Sequence, residues 1–216
     1  MISQEDKDFM EHAFQKLKER GWFPEDKFEK STITEEEIAA FEQEHQVTLP
    51  SLYKAFLTAY WLPETQSNEI CAIIDDWDGL EPLWLMLDSP ENMTQVSERM
   101  EFLQEIRDFC ELPDGCFQNL IPIGDWGAGW GPLCIDLSRP EDKVNEDDER
   151  TWNLVWFDHE EFEWNKYYLG SDGLLHGREG APNLKTLFDW YFCGSLEAEY
   201  EQETGEKPTY QWYQEL

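Results

Sequence analysis

His159 stands between Asp158 and Glu160, and Glu161 follows. An imidazole beside a carboxylate is the raw material of general acid–base catalysis, and Cys134 would add a thiol if folding brought it close. Four histidines and five cysteines allow many accidental pairings, however. The simpler reading of His159 is a strand-end residue bonded to backbone or to a carboxylate, so no catalytic pair is expected. Carboxylates also bind calcium or magnesium. Asp75, Asp76 and Asp78 precede Gly79, but the twelve-residue calcium loop with its closing Glu is missing. Glu146, Asp147, Asp148 and Glu149 lie in a polar insertion where solvation satisfies them. No metal and no cofactor is therefore expected. The run Gly124–Gly131 has the glycine content of a phosphate cradle. It lacks the Gly-Lys-Ser/Thr ending, and Asp125 would repel phosphate. What remains is recognition. Trp126 and Trp130 sit on that glycine run, either packed inward or presented as anchors for a partner protein. Stacking on a carbohydrate is a further use of the same rings.

The totals favour a protein partner. There are 16 basic and 48 acidic residues, a formal net charge of −32. Such a surface repels nucleic acid and anionic lipid and attracts basic proteins. High negative charge can also signal disorder, but eleven tryptophans, thirteen phenylalanines and eight tyrosines provide a core that folds. Residues 1–30 hold eight acidic and six basic residues, so nearly all the excess lies after Lys30. The cysteines, Cys71, Cys110, Cys116, Cys134 and Cys193, are odd in number and form no Cys-x-x-Cys pair. Four read as small core residues in a reducing compartment, with Cys116 the more exposed in a Pro-Asp-Gly turn. The N-terminal residues include Gln4, Glu5 and Asp6 and contain no apolar run, and no stretch is long and apolar enough to span a membrane. A cytoplasmic protein is expected.

The elements that must position these residues follow from periodicity. Ser3 to Arg20 reads as a helix capped by Ser3, with Phe9, Met10, Ala13, Phe14 and Leu17 inward. Thr34 and Glu37 form a capping box for a second helix carrying Ile38 and Phe41. A third runs from Pro50 or Ser51 through Trp61, with Leu52, Phe56 and Tyr60 on one face. Ile70–Ile74 and Pro82–Leu87 read as strands joined by an acidic turn at Asp75, Asp76 and Asp78. An inserted helix begins at Ser89 or Asn92, with Val96, Met100, Leu103, Ile106 and Phe109 on one face. Ile121–Ile123, Leu133–Leu137 and Leu154–Phe157 form an antiparallel meander, the middle strand alternating as if half-buried. Phe162–Leu169 alternates as one more strand, Gly170–Gly180 is a turn-rich link, and Asn183 caps a last helix bearing Leu184, Leu187, Phe188, Tyr191 and Phe192.

Residues 33–57 carry Ile38, Phe41 and Glu42, then Leu49 and Pro50, then Tyr53, Phe56 and Leu57. Helix Ile-x-x-Phe-Glu, then Leu-Pro, then helix Tyr-x-x-Phe-Leu resembles the opening of the SUKH superfamily, the fungal cell-wall-assembly regulators and bacterial toxin-immunity proteins. Ile121-Pro122-Ile123 with its glycine-and-Asp turn, the Leu-Cys-Ile-Asp-Leu strand and the strand ending Trp-Phe-Asp-His-Glu extend the likeness over residues 33 to about 193. Trp130, Gly131 and Pro132 replace the usual Gly-Asp before the Cys-x-Asp strand. The acidic insertion Ser138–Thr151 and the segment Pro90–Pro113 are additions to the pattern.

The expectation is an α+β fold, a twisted, mostly antiparallel sheet flanked by N- and C-terminal helices. One SUKH-like domain spans 1–216, with a core of about 31–196, an N-terminal helix at 3–20 and a tail at 197–216. The resemblance implies a non-enzymatic immunity protein that binds and neutralises a protein toxin, plausibly a basic nuclease domain. A protein-binding scaffold or regulator is the alternative, and a small-molecule enzyme a third. The partner-binding candidates are Asp75, Asp76, Asp78, Asp125, Trp126, Trp130, Asp158, Glu160 and Glu161.

Overall fold

The computed structural model describes residues 1–20, 29–61, 69–76, 79–126, 131–161 and 163–205. The fold is α+β, with helices at both ends of the described chain and antiparallel strand pairs between them. The chain divides into two compact units. Unit 1 comprises Met1–Leu85, Ser89–Met93 and Leu187–Leu216; unit 2 comprises Met86–Asp88 and Thr94–Thr186.

Unit 1 is built on helices whose ends are written in the sequence. Helix α1 (Gln4–Glu19) starts where the Ser3 side chain accepts from the Asp6 N–H. Helix α2 (Glu35–His45) follows β1 (Glu29–Lys30) and has the full capping box between Thr34 and Glu37. That box satisfies N–H groups which the helix leaves without internal partners. Helix α3 (Ser51–Ala59) runs into β2 (Tyr60–Trp61), which pairs antiparallel with β1. Met10, Phe14 and Leu17 are buried on α1, Ile38 and Phe41 on α2, and Tyr53, Phe56 and Leu57 on α3. The ring of Phe14 lies 4.9 Å from that of Phe192 and 6.4 Å from that of Phe56. Lys54 interrupts the apolar face of α3, yet Glu42 accounts for it. The Glu42 carboxylate takes both the Lys54 ammonium and the Leu49 N–H at 2.7 Å. Strands β3 (Glu69–Asp76) and β4 (Gly79–Leu87) follow. Asp75 and Asp76 thus belong to a strand and not to the expected acidic turn; Asp78 lies outside the described residues.

Unit 2 contains most of helix α4 (Met93–Phe109) and four antiparallel strands, β5 (Leu120–Trp126), β6 (Gly131–Asp136), β7 (Leu154–Trp156) and β8 (Arg178–Ala181). The register runs from Leu120↔Asp136 to Trp126↔Gly131, then Leu133↔Trp156 and Trp156↔Arg178. The Asp88 N–H, just after β4, donates to the Ile123 carbonyl at 2.8 Å. Four expectations change here. Gly124, Asp125 and Trp126 are strand, not loop, after a bulge between Pro122 and Gly124. Strand β6 is buried on both faces, because β5 and β7 flank it and side chains pack above and below. Within the segment read as a strand, Trp164–Tyr167 forms a short helix, α5. Trp164 and Tyr168, one helical turn apart, are both buried and pack their rings against Phe157. The alternation that suggested a strand could not register that shared target. Strand β8 emerges from the segment read as a turn-rich link.

One buried carboxylate organises this sheet. Asp136 is fully buried and accepts from the Asn119 amide at 2.7 Å and from the Ser138 N–H and hydroxyl at 3.0 and 2.6 Å. The Arg139 guanidinium lies 3.3 Å from its other oxygen. A charge removed from water persists only when paired and hydrogen-bonded in this way. The insertion 138–151 is likewise ordered by local bonds, with Thr151 and Asn145 tied to each other and Arg150 paired to Asp148. Helix α6 (Leu184–Phe188) begins in unit 2 and ends in unit 1, where a π-helical turn at Asp189–Cys193 and helix α7 (Ser195–Thr204) follow. Asn183 caps α6 through the Thr186 N–H, as expected.

Candidate functional site: an apolar groove with a carboxylate rim

The turn after β7 is positioned by aromatic residues. The Trp164 indole N–H donates to the Asp158 carbonyl at 3.2 Å, and the Asp158 N–H donates to the Tyr168 hydroxyl at 3.1 Å. The Asp158 carboxylate accepts the Glu160 N–H at 3.0 Å. These bonds fix the direction in which His159, Glu160 and Glu161 leave the sheet.

The rim is less bare than the sequence implies. Arg178, from β8, reaches Asp158 at 3.3 Å and Glu161 at 3.5 Å. Its guanidinium lies over the Trp156 ring, 5.1 Å from the centroid, and Trp156 stacks on Trp126 at 6.1 Å. Trp126 is buried within that stack and takes the inward alternative. Trp130 lies outside the described residues. Sequence reasoning missed Arg178, because pairing it with Asp158 needs the β7–β8 register that places Trp156 opposite Arg178.

Beside the rim is a groove of about 260 Å³ lined by Phe102, Ile106, Phe109, Cys110, Asp125, Gly131, Pro132, His159, Glu161 and Trp164. It unites two of the sequence candidates, Asp125 and Glu161, with residues of the inserted helix and the cysteine that follows it. Leu103 faces inward, with Leu112, Phe117 and Phe157, and Ile106 and Cys110 pack partly against that cluster. Phe102 and Phe109, in contrast, are 50% and 74% exposed. Phe109, grouped by its spacing on one face with Val96 and Leu103, is exposed while those two are buried; Phe102 carried no signal beyond its spacing from Ile106 and Phe109.

Asp125 is half-buried and accepts the Gly131 N–H at 3.2 Å. Burial pushes its carboxyl above the usual range, opposed by that hydrogen bond and by the charges of Arg99 and His159. The Cys110 thiol is also pushed up by burial, as are those of Cys116, Cys134 and Cys193, the last to about 11. A nucleophilic thiol needs the opposite shift. Cys116, expected at the surface, is buried in the core. Cys134 is fully buried within β6, which pushes its thiol well up. Among the described residues no cluster of His, Cys, Asp and Glu could hold a metal ion, and no helix is long and apolar enough to cross a membrane. The arrangement is suited to gripping an apolar group beside a cation.

The model of the SMI1 / KNR4 family (SUKH-1) matches residues 32–175. No curated protein and no solved structure matches the chain.

Proposed function

The chain belongs to the SMI1 / KNR4 family (SUKH-1), and from that membership we propose that it is a non-enzymatic, cytoplasmic protein that binds and neutralises a protein toxin. A basic nuclease domain is the partner whose chemistry fits. The observation that carries this reading is the charge of −32 on a chain that buries aromatic side chains in both units, among them Phe14 and Phe56 in unit 1 and Phe157 and Trp164 in unit 2. A nuclease cleft is built to attract phosphate, and a rigid acidic surface competes for it. Close charge pairs across such interfaces contribute roughly 1.5–7 kcal/mol and speed encounter. Asp125, Asp158, Glu160 and Glu161 in unit 2, and Asp75 and Asp76 on β3, are the proposed acidic contacts; Asp78, Trp126 and Trp130 were candidates on sequence grounds.

The test is coexpression with the protein encoded immediately upstream, with growth as the readout. Rescue from that one protein supports the immunity reading. Stable binding without rescue favours the family's other theme, a scaffold or regulator. For a bound pair, the association rate should fall roughly tenfold or more from low to high salt. A salt-independent rate removes the electrostatic basis of the proposal.

A further inference from the structure

Helix α4 carries two apolar stripes. Val96 and Leu103 are buried, while Phe102, Ile106, Phe109 and Cys110 face the groove at helical spacing i, i+4, i+7 and i+8. Two exposed phenylalanines, Phe102 and Phe109, flanking the half-buried Ile106 and Cys110 make an apolar surface of the kind that marks an interaction site. Its size and charge select the occupant. Pockets for free small ligands usually enclose roughly 300–1,000 Å³ and bury most of the ligand. This groove has about 260 Å³ and is bounded by the largely exposed Phe109, which suits one or two side chains of a larger molecule. Asp125 and Glu161 lie in its wall, and Glu98, Glu101 and Glu105 are exposed on α4. The neighbouring arginines already hold carboxylates: Arg99 holds Asp88, Arg107 holds Asp108 and Asp114, and Arg178 holds Asp158 and Glu161. A second copy of this chain would bring a further charge of −32 to the same place.

We propose that the groove between α4 and the paired strand residues Asp125, Gly131 and Pro132 takes an apolar side chain of a partner protein flanked by arginine or lysine. The apolar group lies on Phe102, Ile106 and Phe109, and the cation meets Asp125 and Glu161. This rests on the protein-binding function proposed above and assigns it a specific site.

The test uses the full-length ¹⁵N-labelled chain and three capped pentapeptides: Gly-Arg-Leu-Arg-Gly, the same peptide with both arginines replaced by glutamate, and the same with leucine replaced by serine. The Gly131 amide and the Trp164 indole N–H report from the groove wall. Saturable shifts of both signals are expected with the Arg-Leu-Arg peptide. Affinity should be about tenfold weaker or worse for the other two peptides, and for Phe102→Ser or Phe109→Ser in the protein, since an exposed aromatic anchor dominates such contacts. Both phenylalanines are exposed, so these variants should keep the parent melting temperature. Asp125→Asn should weaken the Arg-Leu-Arg peptide and leave the glutamate peptide unchanged. Silence of Gly131 and Trp164 up to millimolar peptide overturns the proposal, as do equal shifts with the glutamate peptide. A dimer that Phe109→Ser dissolves would assign the face to a second copy and overturn it as well. Rescue by the parent that persists in Phe102→Ser and Phe109→Ser, but is lost in Glu160→Lys, discards the groove and keeps toxin binding; no rescue by the parent discards the broader function.

Discussion

Gly131→Ala should be among the most damaging single-methyl changes in unit 2. Gly131 opens β6 opposite Trp126 with φ +154°, and its N–H donates to Asp125. A Cβ there would lie 1.7 Å from the Phe157 carbonyl oxygen, 2.9 Å from its carbon and 3.2 Å from the His159 nitrogen. All three are backbone atoms, so no change of rotamer relieves the clash. The nearest gap must open from 1.7 Å to at least 3.0 Å, which pulls at the Phe157 N–H···O=C Pro132 bond of 3.2 Å. Overpacking costs about 1–3 kcal/mol, a non-glycine residue at positive φ ~1 kcal/mol, and a weakened backbone hydrogen bond ~1 kcal/mol, about 3–5 kcal/mol in total. At this chain length that lowers the melting temperature by roughly 6–20 °C. The matched control is Gly173→Ala, where φ is +82° and nothing lies within 4 Å of the added carbon; strain alone, ~1 kcal/mol, gives roughly 2–4 °C. Thermal melts should be followed by near-ultraviolet circular dichroism of the Trp126–Trp156 stack, with hydrogen exchange at Leu133 to Ile135. If Gly131→Ala melts within about 2 °C of the parent, or no lower than Gly173→Ala, the packing argument at the groove wall is wrong.

Three other substitutions probe different parts of the fold. Asp136→Ala leaves Asn119, Ser138 and Arg139 without their shared acceptor and should cost about 3–5 kcal/mol in urea denaturation; a loss below ~1 kcal/mol would show that the network is dispensable. Thr34→Ala removes the capping box of α2 and should cost ~1 kcal/mol, with the Glu37 amide losing protection from exchange; unchanged stability and exchange would count against it. Asp125→Asn tests the cost of burying a charge. The folded-state carboxyl titrates above its unfolded value, so the parent binds more protons folded than unfolded in that window and loses stability as pH rises through it. The Asn variant, whose amide oxygen still accepts from Gly131, should be more stable than the parent at neutral pH. The difference should shrink as pH falls below about 4, the ordinary aspartate value; urea midpoints that differ by a constant amount at every pH would contradict the assignment.

Much of the local structure was legible in the sequence because its causes are local. Ser3, Thr34 with Glu37, and Asn183 announce helix starts by side-chain bonds that reach only three residues. The stripes of Phe14, Phe56, Phe188 and Phe192 specify one buried face each, and those faces meet in unit 1. The ordered motifs from Ile38 to Asp158 carried the family, and the matched span bears that out. Periodicity, however, shows that a face is apolar without showing what covers it. For that reason Phe109 shares a face by spacing with Val96 and Leu103 yet is exposed, whereas Cys116, read as the more exposed cysteine, is buried. It likewise missed α5, where Trp164 and Tyr168 close on Phe157.

The sequence by itself determined the charge, the capped helices, the aromatic supply and the family. Only tertiary structure decided how that charge is presented. Arg178 neutralises part of the rim through a strand register, Trp126 is withdrawn into a stack, and Asp125 joins Phe102 and Phe109 in one groove. Each of these depends on residues far apart in the chain, and their spacing is set by pairing and packing that no local pattern encodes.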